Sequence, residues 1–254
     1  MGFFAGLDAN DHDGHFNALS RMLEAKHRIT IPASHKREEF WHEAETIFKA
    51  PLGQEVKAFL GFIADVAASD VFEILAGENG QMSPADPCEY CLRLRDLHDL
   101  DPSYEGLSFI ETRSFRSYFS VLTSEQTHSP CSTANYSLEK YKGKSELVRE
   151  PYGDVNLISF ALRFFGENLT NDGRSLLSDT SDLEAFLAEA RRCLGEPAEL
   201  GGEVYFFEAE NAEILVRPVV HIGINLHVFD ISKPWPVSDT LLRMLDGGIE
   251  TFRR

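Results

Sequence analysis

Cys88-Glu89-Tyr90-Cys91 sets two thiols at the spacing used by zinc sites and thioredoxin-like redox centres, where one helical turn aims both sulfurs the same way. Zinc needs four ligands, and here Cys131 and Cys193 stand alone. There is no second close pair and no strand-then-helix context of a redox fold. Cys88 and Cys91 remain the candidates for a thiol metal site, but ordinary core or surface thiols are the simpler expectation, and no cofactor is expected.

A second group, Asp8, Asp11, His12, Asp13 and His15, offers carboxylate oxygen to a hard divalent cation. When Asp11, Asp13 and Gly14 are laid on a calcium loop, Ala9 and Ser20 take its two end positions, so both end ligands are lost. The expectation is a solvated lead-in, with Asp11 or Asp13 near the cap of a helix starting about His15.

The third group lies on a strand. Val220, Ile222, Ile224, Leu226 and Val228 alternate, which leaves His221, Gly223, Asn225 and His227 on the opposite face. At roughly 3.3 Å per residue, His221 and His227 stand about 20 Å apart and cannot share one site. Asn225 and His227 are near enough to cooperate, with Glu208 or Glu210 beside them if the strands pair. They are the catalytic candidates, weighed against a merely solvated outer face. The chain has no Gly-x-Ser-x-Gly elbow, His-Glu-x-x-His, P-loop or Gly-x-Gly-x-x-Gly, which disfavours common nucleotide chemistry.

Texture along the chain indicates the elements that hold these residues. Residues 54–78 carry Val56, Phe59, Leu60, Ile63, Val66, Val71 and Ile74 at three and four spacing, a central helix ended by Gly77 and Gly80. A helix containing Phe40, Trp41, Ala44 and Ile47 precedes it, and residues 84–100 supply another. Residues 107–112 and 118–123 are β-branched and aromatic, and residues 136–148 read as a hairpin turning at Lys142-Gly143-Lys144. Residues 156–165 fit strand and buried helix equally. Ser181-Asp182-Leu183-Glu184 is a capping box, and the helix after it ends at Gly195 and Pro197. Residues 204–216 form a hairpin, then comes the alternating strand, then a last helix turning Leu241, Leu242, Leu245, Ile249 and Phe252 inward.

The expected fold is α+β: a helical N-terminal half packed against a mainly antiparallel sheet, with late helices covering one sheet face. Residues 1–100 form the mainly helical region and 101–254 the region with the sheet, either divided near Asp101 or sharing one continuous core.

The chain has 41 Asp plus Glu against 24 Lys plus Arg, a formal charge of −17, which opposes direct binding to nucleic acid or anionic lipid. The N-terminal apolar run meets Asp8 at once and lacks a basic flank, and the longest apolar stretch, residues 58–68, is interrupted by Asp65. Neither a leader nor a membrane segment is expected, so the chain reads as cytoplasmic with a neutral or basic protein partner. The leading functional expectation is a non-catalytic acidic binding protein, a stoichiometric inhibitor of a basic protein in the manner of the immunity proteins that silence bacterial toxins. That analogy rests on charge and compactness, with no residue pattern behind it. Asp96, Asp99, Asp101, Glu208 and Glu210 are the partner-binding candidates. The alternatives are an enzyme of hydrolase type near Asn225 and His227, and a nucleic-acid mimic.

Overall fold

The computed structural model describes residues 2–34, 37–48, 51–71, 82–84, 106–112, 117–122, 132–141, 144–150, 156–169, 172–178, 183–209, 212–219, 223–229 and 249–253. The fold is mixed α and β, and the chain forms two compact units. One comprises residues 1–15 with 158–254, the other residues 16–157.

In the unit of residues 16–157, helix α1 (His12–His27) contributes Phe16, Leu19, Met22 and Leu23, all buried and spaced by three or four. Phe16 packs on two rings of α3 (Gln54–Ala67), Phe59 at 5.7 Å and Phe62 at 5.4 Å between centroids. Helix α3 is buried on nearly every side, from Val56 through Val66, so it is the central element of this unit. It ends earlier than its apolar spacing suggests: the Ala68 N–H bonds back to the Ala64 and Asp65 carbonyls, and the Ser69 hydroxyl caps Val66.

Asp65, which interrupts the apolar run, is held by α2 (Arg37–Phe48) and the residues before it. Its carboxylate accepts two hydrogen bonds from the Arg37 guanidinium and one from the Ser34 backbone N–H at 2.6 Å. The Trp41 indole donates to the Lys57 carbonyl at 3.1 Å, and Glu45 pairs with Lys57 at 2.7 Å while accepting the Leu52 N–H. These polar bonds fix how α2 lies on α3. The unit also contains a five-stranded antiparallel sheet in chain order: β1 (Met82–Pro84), β2 (Gly106–Thr112), β3 (Ser117–Leu122), β4 (Ser132–Tyr141) and β5 (Lys144–Glu150). Tyr141 pairs with Lys144 at the end of the β4–β5 hairpin, and Lys142 and Gly143 lie outside the described residues.

The other unit contains α4 (Leu157–Leu169), β6 (Asp172–Ser178), α5 (Leu183–Leu194), β7 (Ala198–Glu199), β8 (Tyr205–Ala209), β9 (Ala212–Val219), β10 (Gly223–Phe229) and β11 (Ile249–Arg253). The ambiguous residues 156–165 are helical, and α4 buries Ile158, Phe160, Ala161, Leu162, Phe164 and Phe165. The six strands form one antiparallel sheet ordered β11-β6-β10-β9-β8-β7. On β8 and β9, Phe206 and Leu215 belong to one face, Phe207, Ile214 and Val216 to the other, and all five are buried. This part of the sheet is therefore covered on both sides.

One expectation changes here. Ile249 and Phe252, assigned to a last inward helix, lie on strand β11, where Ile249 pairs with Leu176 and Phe252 with Gly173. A few apolar residues at three and four spacing carry little helical signal against a ladder to β6. The alternating strand is seen over Gly223–Phe229, and Val220, His221 and Ile222 lie outside the described residues. The Ser181 of the capping box, Gly77, Gly80 and residues 85–100 also lie outside them.

Candidate functional site

The first residues of the chain form a short strap on the six-stranded sheet. Phe4 is fully buried and meets Phe206 edge-to-face with centroids 5.1 Å apart. The Glu208 carboxylate, two residues further along β8, accepts the Phe3 N–H at 2.6 Å and the Phe4 N–H at 3.0 Å, one on each oxygen. Gly2 has no side chain for a local reason: a Cβ there would run into this carboxylate. The strap bends through Ala5 N–H to Gly2 and Leu7 N–H to Phe4 bonds, and the Asp8 carboxylate accepts the Asn10 N–H at 2.9 Å in an Asx turn. Asp11 then caps α1 by accepting the Gly14 N–H at 2.9 Å, so the aspartate-rich lead-in does cap a helix, one that starts at His12 rather than His15.

Opposite the strap, α5 ends at Gly195, in the left-handed region at φ 90°, whose N–H bonds to the Arg191 carbonyl at 2.9 Å. The chain then runs through Glu196 and Pro197 into β7. Between them lies a cleft of about 550 Å³. Leu7 and Pro197 give it a half-buried apolar floor, Phe4 and Phe206 are buried in its wall, and Asp8, Glu196, Glu199 and Glu208 bring four carboxylates to its lining. Arg191 approaches two of these, Glu196 at 3.3 Å and Glu199 at 3.8 Å. Both pairs are solvent-exposed and thus of small energetic weight, free to exchange with an incoming cation. Burial, then the charges of Glu199 and Glu203, raises the Tyr205 phenol above its ordinary value and keeps it neutral.

His15 lies under the strap, its ring centroid 6.5 Å from that of Phe4, wholly buried, with neither ring nitrogen hydrogen-bonded. Burial, then the neighbouring His12, lowers its pKa below the usual imidazole value, against weaker opposite pulls from Asp11 and Asp8. The unfolded chain therefore binds a proton below about pH 6.5 that the folded chain resists. Stability is full above that pH and falls as pH drops through it, by up to about 1.4 kcal/mol per pH unit until His15 protonates in the fold. Urea unfolding between about pH 7.5 and 5.5 should show this slope, and His15→Phe should abolish most of it while raising stability near neutrality by about 1 kcal/mol, since it removes unsatisfied buried nitrogens. An unchanged slope in the variant would assign the acid sensitivity to other groups.

Of the candidates named from sequence, Glu208 lines the cleft, with its carboxylate committed to the strap backbone. Asn225 and His227 lie on β10, Asn225 opposite Arg217 and Leu177, His227 opposite Leu215 and Ser175. Glu208 is two strands away and level with Phe229, so the sheet does not set it directly beside His227. Asp96, Asp99, Asp101, Glu210, Cys88 and Cys91 lie outside the described residues. Among the described residues no group of three or more His, Cys, Asp or Glu could hold a metal ion, and no helix is long and apolar enough to cross a membrane.

Asp8 is visible in the sequence only as part of the N-terminal acidic cluster, and its meeting with Glu196 and Glu199 is not, because it is nearly two hundred positions from them. Gly2-Phe3-Phe4 before a capped helix is the one local signal, two large apolar residues that must be covered somewhere. Chemically, carboxylates around an apolar floor suit a cation carried on an aliphatic stem, the form of lysine and arginine. Comparison of the chain with protein-family models, curated proteins and solved structures finds no match.

Proposed function

We propose that this chain is a non-catalytic binding protein whose carboxylate-lined cleft receives a cationic segment of a protein partner. The observation that carries the reading is the cleft itself, four carboxylates over a floor of Leu7 and Pro197, in a chain of net charge −17. The long-range field draws a basic partner in, and the apolar floor takes the stems of its lysines or arginines. In its sharpest form the protein is a stoichiometric inhibitor that occupies the basic active site of an enzyme.

The test is a pull-down of the tagged protein from its source lysate, washed at low and then high salt. One basic partner retained at equal stoichiometry supports the reading, and loss of that partner's activity on binding supports the inhibitor form. With the partner in hand, the triple variant Asp8→Asn, Glu196→Gln, Glu199→Gln should slow association about tenfold at low salt and much less at high salt. A partner that binds the triple variant at the wild-type rate would move the contact away from the cleft. An empty pull-down at both salts would sink the binding proposal.

A further inference from the structure

We propose that residues 2–11 are a strap released by mild acid, with protonation of His15 as the trigger and the opening of the cleft as the result. Two independent attachments hold the strap down: the Phe4 ring against Phe206, and the Glu208 carboxylate on the Phe3 and Phe4 N–H groups. Its other described bonds are short-range, among them Ala5 to Gly2, Leu7 to Phe4, Asp11 and Asn10 to Asp8, His12 to Asn10, and Gly14 and His15 to Asp11 at the start of α1. A segment with so few long-range bonds belongs to the least stable part of a fold and opens before the core does.

His15 sits beside this segment as a fully buried imidazole, and neither nitrogen has a hydrogen-bond partner. Burial favours the neutral ring, because an imidazolium there would carry a charge out of water that the Asp8 backbone and the Asp11 and Asp8 charges offset only in part. The charged groups acting on it are His12 and Asp11 at the helix start and Asp8 on the strap. His12 opposes its protonation, and the two aspartates do not outweigh burial. Lifting Phe4 and the Asp8 turn admits water to the ring, so a proton binds the open form more tightly than the closed one and shifts the population towards it.

The consequence for the molecule is concrete. Gly2, Phe4, Ala5, Gly6, Leu7, Asp8 and Ala9 all line one side of the cleft, so its shape and charge depend on the strap being seated. Release would remove that wall and bare Phe206. This holds whatever the cleft binds, so the strap can be tested without a partner.

Amide hydrogen exchange of the full chain, corrected for the intrinsic pH dependence, tests the proposal. The hydrogen-bonded amides of Phe3, Phe4, Ala5 and Leu7 should be less protected than those of Ala161, Leu162 and Phe164 in α4, which lie beyond its first turn, whose amides have no intrahelical partner. Their opening should rise up to about tenfold between about pH 7.5 and 5.5, the factor that one proton site of ordinary imidazole affinity provides in the open form. His15→Phe and, as a second construction of the same test, His15→Leu should remove that rise while leaving the strap seated at neutral pH. Strap amides as protected as those of α4 would overturn the proposal, since opening would then be global. A missing rise in the wild type, or a rise that survives both substitutions, would overturn it equally.

Discussion

Replacing Asp65 by alanine is expected to cost about 3 kcal/mol of folding stability, the lower part of the range for breaking a buried ion pair. The Asp65 side chain is only 8% exposed and stands in the middle of the apolar helix α3, where a carboxylate survives because Arg37 and the Ser34 N–H saturate it. Arg37 is 32% exposed, so its guanidinium recovers some hydration once the carboxylate is gone, which keeps the cost from the top of the range. Asp65→Asn keeps the volume and one acceptor and should cost about half as much. The paired change Arg37→Leu with Asp65→Leu removes both charges together and should return most of the loss, because a well-packed apolar pair often matches a buried ionic one. Urea unfolding of the wild type, Arg37→Leu, Asp65→Leu and the paired variant forms a double-mutant cycle. A loss under about 1 kcal/mol for Asp65→Ala would reduce this contact to the weight of a surface pair.

The second large effect is expected at Phe4. Its ring is fully buried against Phe206, and truncation to alanine should cost about 3 kcal/mol, combining lost transfer energy with the cavity left behind. The ceiling is the docking energy of the strap, because a strap held by less than the truncation removes simply lets go. Phe4→Leu keeps much of the volume and should cost about 1 kcal/mol. Phe3, a half-buried neighbour whose main-chain N–H bond to Glu208 survives side-chain truncation, should lose under about 1 kcal/mol as alanine. Shifts in urea midpoint at constant slope measure all three. Equal losses at Phe3 and Phe4 would contradict the seating of Phe4 as the strap's anchor.

The parts of the fold visible in the sequence are those decided over a few residues. Phe186, Leu187 and Ala190 repeat at helical spacing, and Gly195 supplies the left-handed residue that stops α5. The β4–β5 and β8–β9 hairpins join neighbouring runs of strand formers, and the caps around Asp11 involve partners two or three positions apart. In each case, local sterics and nearby hydrogen bonds determine the outcome without help from the rest of the chain.

The same sequence is silent where the competing states differ only in distant partners. Residues 157–165 of α4 are an apolar run broken only by Ser159 and Arg163 and buried almost throughout, so they lose the one-sided rhythm that separates helix from strand. Ile249 and Phe252 fit a helical stripe in isolation, but become strand through a ladder to β6, more than seventy positions earlier. Asp65 reads as an interruption until Arg37 folds onto it, and Gly2-Phe3-Phe4 as a failed leader until Glu208 grips its backbone. The cleft has the same character, with Asp8 facing Glu196 and Glu199 across it. By itself the sequence determined the acidic charge, the mixed α and β texture and the local caps and turns. Only tertiary structure decided which carboxylates meet, which histidine is sealed from water and what the first residues cover, because those energies exist only between groups the chain must first bring together.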